Sequence, residues 1–498
     1  MTLDVPRRAG LAVGGVALVA GAVTLNHNLV GVFYDDGLYA GLATALAHGL
    51  GYVHPHLPGT PAAVHFPPLY PLLLAPLFGT LSVAAAGFAG KVLNVLIAAV
   101  TAGLVAWHAT RTELLGAGTP PWLPATAVAA GAVAIPVLTV LTTLLSEPLF
   151  GLCLAGAVIL TDRPVTTPRS AGLAGLAAAL ALLTRSIGVA AGVGVVVFLL
   201  LARRAGWRLA LRAALPVGIA VIGWGLWLLR YGHGIDPDLA ADYGTYGDVL
   251  RQAGLGAASA SVTDLPRPLG VLAFSWVPAR WVYYVCGVPS LAIGLYGLWR
   301  VSRRSAVGVT LAGYLTILAV WPFPPDRFLW AVLPWLALVW AAGARAVWRG
   351  RWRVPVAALA AIVVLGYARY EGRGARGRWW AIAAHQISAN FTELLPGVAA
   401  LPDTAVLATD DEALVWLYTG KRAVPLYLFA LRGATEIAPP PAEHRAFLER
   451  MGVTHILESG PGSSAAQLDQ MRAAYPGWLR VVRRWPGGRV LYEAHRDR

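Results

Sequence analysis

The stretch VFYDDGLYAGLATALAHGLGY, residues 32–52, follows directly on an apolar run at residues 9–32. Two adjacent aspartates, Asp35 and Asp36, stand where that run ends. A carboxylate beside hydrocarbon is costly unless it is paired or put to use. The residues after them are small, apolar and helix-forming. Leu38, Leu42 and Leu46 recur at every fourth position, which predicts an amphipathic helix along a membrane surface, closed by Gly49. Asp36 is placed to cap the start of that helix. Asp35 has no part in this reading.

Composition makes lipid the main solvent. Of 498 residues 57% are apolar and 13% charged, whereas a soluble domain carries about 25% charged residues. Mean hydropathy is +0.61. The net charge of +14 does not indicate nucleic acid, because no basic patch is interleaved with aromatic residues. Basic residues sit instead in short clusters between apolar runs: Arg7-Arg8, Arg163 and Arg169, Arg203-Arg204, Arg208 and Arg212, Arg303-Arg304, and Arg349, Arg351 and Arg353. That is the distribution of a chain whose membrane topology is set by charge. Cys153 and Cys286 are far apart in apolar segments and suggest neither a disulfide framework nor a metal site. The bias to Ala, Gly and Arg fits a bacterial source. The first apolar run lacks a cleavage site and reads as a retained signal anchor.

Candidate spans are 9–32, 86–109, 122–140, 146–161, 170–184, 187–203, 208–230, 282–300, 305–321, 328–347 and 353–369. Pro67–Gly79 has four prolines in thirteen residues and reads as re-entrant or interfacial. With that segment left out and Arg7-Arg8 inside, every basic cluster falls on the cytoplasmic side. Loop 33–85, Ser146, Arg185, loop 231–281, Pro322–Arg327 and the C-terminus then face outward. The expected fold is an all-α polytopic membrane bundle of about eleven spans with juxtamembrane helices, residues 1–370, followed by an extracytoplasmic soluble α/β domain, residues 371–498. In that domain PDTAVLATDDEALVWLYTGKRAVPLY reads strand, helix, strand, and AEHRAFLERMGVTHILES reads helix, strand. LRVVRRWPGGRVLYEA reads as a closing hairpin.

The outer ends of the spans carry a small polar set: Glu147 in LLSEPLF, Arg185 in LLTRSIG, Arg327 in PFPPDRFLWAVLP, and Lys91 one turn inside GFAGKVLNVL. YDDGLYAGLATALAHGLGY, FPPLYPLLLAPLFG, SEPLF and LLTRSIG, and more loosely LVWLYTGKRAVP in the outer domain, resemble bacterial membrane glycosyltransferases of the GT-C fold, whose relatives include the protein O-mannosyltransferases and the lipid A aminoarabinose transferases. The resemblance implies a catalytic base at Asp35, an orienting partner at Asp36, and a lipid-phosphate donor beside Pro67, Pro68 and Leu69. Some relatives carry a lysine just before those prolines; here Phe66 stands there, preceded by His65. Lys91, Arg185 and Arg327 would then supply the positive charge at the donor phosphate. Tyr39, His65, Tyr70 and Glu147 complete the expected donor and acceptor pocket.

The chemistry fits that arrangement. A sugar on a polyprenyl phosphate already carries an acceptable leaving anion, so the strong general acid of a two-carboxylate glycosidase is not needed. One base for the acceptor hydroxyl and fixed cations for the departing phosphate suffice. Direct displacement predicts inversion at the anomeric carbon. Expected partners are the lipid-linked donor, a hydroxyl-bearing acceptor on protein, lipid or cell-envelope glycan, and membrane lipids, with no nucleic acid. No cofactor is expected. His54, His56 and His65 match no metal-ligand spacing and read as surface-loop histidines, and TDDE at 409–412 reads as a capped first helical turn. Walker A, Rossmann and Gly-x-Ser-x-Gly signatures are absent. The rival reading is a secondary transporter or lipid flippase, which would place ionisable residues near the bilayer midplane and show internal repeats.

Overall fold

A computed structural model describes residues 4–254, 262, 266–274, 277, 279–348 and 352–495. Arg349 and Arg351 of the basic clusters, and part of loop 231–281, lie outside the described residues.

Helices form where the apolar runs predict them. They are α1 (Val5–Thr24), α4 (Val83–Arg111), the pair α5 (Trp122–Ala132) and α6 (Ile135–Leu141), α7 (Glu147–Thr161), α8 (Pro168–Thr184), α9 (Val189–Val197) with its flanking turns, and α10 (Trp207–Tyr231). Arg280–Ser302, Ala306–Ala319, Leu333–Val347 and Arg353–Gly377 follow. Among the described residues five helices are each long and apolar enough to cross a membrane, and the α5–α6 pair, bent by 55°, makes a sixth if it is counted as one span. The other expected spans are shorter. The 17 residues of α8 reach about 25 Å, less than a hydrocarbon core of about 30 Å. Its helix stops because Arg185 takes an extended conformation, φ −148° and ψ 131°. Small residues allow close packing: a Cβ on Gly10 of α1 would meet the Gly103 carbonyl of α4 at 2.9 Å.

Two short helices precede α4. The first, α2 (Asp35–Ala47), carries the paired aspartates, and α3 (Leu69–Thr80) is the Pro-rich segment. At 12 residues α3 is about 18 Å long and too short to span. The structure corrects the expected character of α2. It is buried on nearly every face, with Leu38, Tyr39, Ala40, Leu42, Ala43 and Ala45 all inaccessible, because α3 covers one side and a helix of the C-terminal domain another. Asp36 does not cap it. Tyr34 holds the N-cap position at φ 62°, and the Asp36 carboxylate turns back to accept the amides of Gly31 at 3.1 Å and Phe33 at 2.8 Å. Gly49, at φ 73°, ends the helix where the sequence places it.

The C-terminal domain follows the helix Ile382–Ala399. Strands β1 (Val406–Thr409), β2 (Arg422–Pro425), β5 (His455–Glu458), β6 (Leu479–Arg484) and β7 (Val490–Ala494) form one sheet in the order β2-β1-β5-β7-β6. β1 pairs in parallel with β2 and β5, and β7 runs antiparallel to β5 and β6. A separate hairpin joins β3 (Ala430–Arg432) and β4 (Thr435–Ile437), and a further helix covers Ser463–Ala474; the sequence reading did not include these.

The domain packs directly on the aspartate turn. A Cβ on Gly37 would lie 2.9 Å from the Gly31 Cα and 3.2 Å from the Ala413 Cβ. The glycine after the paired acids is therefore a requirement of close approach.

Candidate functional site

Four segments distant in sequence meet at the end of the bundle that carries the C-terminal domain. Asp35 comes from the start of α2, Glu147 from the start of α7, Arg185 from the break after α8, and Arg327 from the short helix Asp326–Trp330. Arg327 Nη2 lies 2.7 Å from Asp35 Oδ2, and its Nε lies 3.2 Å from Glu147 Oε1. Arg185 Nη1 reaches the same Glu147 oxygen at 2.7 Å and donates to Ser146 Oγ at 3.2 Å. Tyr39 Oη and Ser146 Oγ are 2.9 Å apart. Glu147 is 3% exposed, so it draws two guanidiniums together from a buried position; its Oε2 makes no hydrogen bond among the described residues. Two acids and two arginines balance in charge, which allows the cluster to be buried.

This network forms one wall of a cavity of about 270 Å³. Asp35, Tyr39, His65, Pro67, Arg185 and Arg327 line it. His65 is anchored by Nδ1 to the Gly244 carbonyl at 2.8 Å. The other sequence-predicted residues stand apart. Tyr70 lies behind the wall, edge-on to Tyr39 at 5.0 Å, and accepts a hydrogen bond from Asn94. Pro68 and Leu69 begin α3 without lining the cavity, and Asp36 is turned to the backbone amides. The expectation for Lys91 is corrected. It is 1% exposed, does not line the cavity, and donates to Asn26 Oδ1 at 2.9 Å and the Asn28 carbonyl at 3.0 Å, so its charge braces the link between α1 and α2.

Loop 231–281 supplies residues that the sequence reading missed. Asp242 and Tyr246 line the cavity, as do Tyr34, Trp321, Phe323 and Phe328. Asp242 belongs to α11 (Ala240–Tyr243), and Tyr246 opens α12 (Tyr246–Ala253), which is fixed by a reciprocal Thr245–Asp248 capping box. The available signal was the run ADYGTYGD in a loop already assigned to this face. Burial, together with the charges of Asp35 and Glu436, pushes the Asp242 carboxyl up to about 7.

Behind Asp242 the loop is tied to the C-terminal domain. The Tyr243 hydroxyl donates to Glu412 Oε1 and lies 3.0 Å from His56 Nε2. The TDDE segment is therefore not a capped turn. Asp410 accepts from Ser459 and Ser464, Asp411 caps nothing, and Glu412 bonds Tyr243. Burial pushes the Glu412 carboxyl up to about 8. The histidines are not surface residues: His54 and His56 are inaccessible, and burial lowers both, His56 to about 3, which keeps them neutral. Among the described residues no three His, Cys, Asp or Glu side chains form a metal-binding group.

No sequence family and no curated protein matches the chain. Solved structures do. ArnT from Cupriavidus metallidurans in the apo state superposes with a TM-score of 0.56 at 16% identity, covering 97% of each chain. The archaeal oligosaccharyltransferase AglB from Archaeoglobus fulgidus, solved with an inhibitory peptide and a dolichol-phosphate, gives 0.53 at 12% identity over 90% of this chain and 69% of its own. A structure of the Archaeoglobus fulgidus oligosaccharyltransferase tethered with an acceptor peptide gives 0.52 at 12% identity over 98% of this chain and 74% of its own. The expected architecture and these superpositions agree: the chain has the GT-C fold, a helical membrane bundle with a C-terminal domain.

Proposed function

We propose that the chain transfers a sugar from a polyprenyl-phosphate donor to a hydroxyl acceptor, with inversion, at the outer face of a bacterial cytoplasmic membrane. In this reading the N-terminus is cytoplasmic and residues 371–498 form an extracytoplasmic domain. The observation that carries it is the Asp35–Arg327 pair on the wall of a cavity at the helix ends. A lipid phosphate fits the arginine wall, where two guanidiniums with fixed forks can take its oxygens. AglB, which shares the fold, has been solved with a dolichol-phosphate. Placement at the helix ends, away from the bundle centre, favours a transferase over a transporter.

In the reaction the acceptor oxygen attacks the anomeric carbon, the bond to the phosphate oxygen breaks, and the hydroxyl proton passes to a cavity carboxylate. Arg327 and Arg185 stabilise the phosphate as it gains charge, and Glu147 holds both in place. The resemblance assigns the proton to Asp35. That carboxylate pairs through Oδ2 with Arg327, and both line the cavity. The test is incubation of purified protein in lipid with a panel of radiolabelled polyprenyl-phosphate sugars. Release of sugar to an acceptor or to water, with inverted configuration, supports the reading, and silence with every donor overturns it.

A further inference from the structure

Two unlike sets of charged groups line the cavity. One is the arginine wall, where Asp35 Oδ2 and Glu147 Oε1 are paired with guanidiniums. The other is Asp242, which lines the same space and has no hydrogen bond or ion pair among the described residues. An anionic donor phosphate is attracted to the first set and repelled by the second. The attacking hydroxyl, which offers a proton and carries no charge, suits the second.

Resting on the transferase reading above, we propose that Asp242 is a further catalytic residue: its carboxylate, lining the same cavity as the Asp35–Arg327 pair, holds the attacking hydroxyl and takes its proton. The oxygen–anomeric carbon bond forms as the carbon–phosphate oxygen bond breaks. The electron pair leaves with the polyprenyl phosphate, and the proton goes to an Asp242 oxygen. Asp35 then keeps Arg327 aimed at the phosphate throughout. The phosphate gains one negative charge while Asp242 loses one, so the net charge of the cavity is unchanged.

The surroundings suit that exchange. Buried and facing Asp35 and Glu436, the carboxyl titrates at about 7, so it is ionised just above neutrality and retains an accepted proton just below. Tyr34, Tyr246, His65, Arg185 and Arg327 line the same cavity. On neighbouring elements Asp236 and Asp238 are bound by Arg450, and Asp248 by Thr245 and Arg251. Glu412 is inaccessible behind Tyr243.

Hydrolysis of a turned-over polyprenyl-phosphate sugar tests the proposal, because water then serves as the acceptor and none has to be identified. Wild-type rate is expected to rise with pH through a midpoint near 7 and then level off. Asp242→Asn should lose about 10²-fold and the rising limb, with polyprenyl-phosphate binding unchanged. Asp242→Glu should recover the limb in part. If Asp242→Asn binds lipid phosphate but keeps the limb and a rate within about threefold of wild type, the proposal is overturned and the transferase reading stands. If the limb disappears in Asp35→Asn alone, the proton belongs to Asp35. A wild-type protein that cleaves no donor overturns both.

Discussion

Helix α7 carries a buried acid at each end, and the two are used differently. Asp162, just past its last residue, is 6% exposed and has both oxygens engaged. His108 Nε2 lies 2.9 Å away, the Ala306 amide donates at 2.8 Å, Ser305 donates its hydroxyl, and Arg203 holds the Asp162 carbonyl. This network is closed and joins α4, α7 and the Ala306–Ala319 helix. Glu147, about 22 Å away along the 15 residues of α7, is just as buried, but the arginines it holds open onto a cavity. Similar residue types thus make a staple at one end and a candidate reaction centre at the other. The difference is whether the cations have a free face.

Substitutions at the two ends should separate in the same way. The largest effect is expected at the open end. Asp35→Asn should reduce sugar transfer by about 10³-fold with membrane insertion intact, since it removes a candidate proton acceptor and the anchor of Arg327; radiolabel transfer by purified protein measures it. Arg327→Lys keeps the charge but loses the planar fork, and a loss of about 10²-fold is expected, with weaker polyprenyl-phosphate binding. At the closed end Asp162→Asn should leave turnover per folded molecule unchanged while destabilising the bundle by about 3 kcal/mol, because a buried pair is broken; thermal unfolding in detergent reads this. If it abolished turnover in a fully folded protein, the contrast between the two ends would fail.

The smallest effect is expected at Glu412. Its carboxyl is raised in the folded state, so the native form binds a proton that the unfolded form has released. The stabilisation from this group is complete below the ordinary Glu value and is lost as pH rises towards about 8. The melting temperature of wild type should therefore fall relative to Glu412→Gln between mildly acidic pH and pH 8.

The sequence made some of this legible and hid the rest for physical reasons. Asp35, Arg185 and Arg327 could be grouped because charge at the ends of successive spans, sorted by the basic clusters, must lie on one face. That argument gives depth along a helix but not direction around it. Lys91 is at the right end of α4, yet it points to Asn26 and Asn28. Local pattern also failed where the partner was remote. TDDE does lead into the helix Glu412–Thr419, but no side chain caps it, and Glu412 bonds a tyrosine 169 positions earlier in the chain. Asp242 sits in a loop without hydrophobic periodicity, so only the folded chain reveals the cavity beside it. The amphipathic reading of α2 assumed lipid on one side and water on the other, and the docked domain removed the water.

That docking has a mechanical consequence. Gly31 and Gly37 bracket the acidic turn, and both back onto the Ala413–Leu414 step. The loop that presents Asp35 thus rests on the C-terminal domain as on a footing. A bulkier side chain at either glycine would lift the turn and shift Asp35 relative to Arg327 without altering a single charged group. A chain cut after Gly377 would keep its membrane helices yet lose the floor beneath its aspartates.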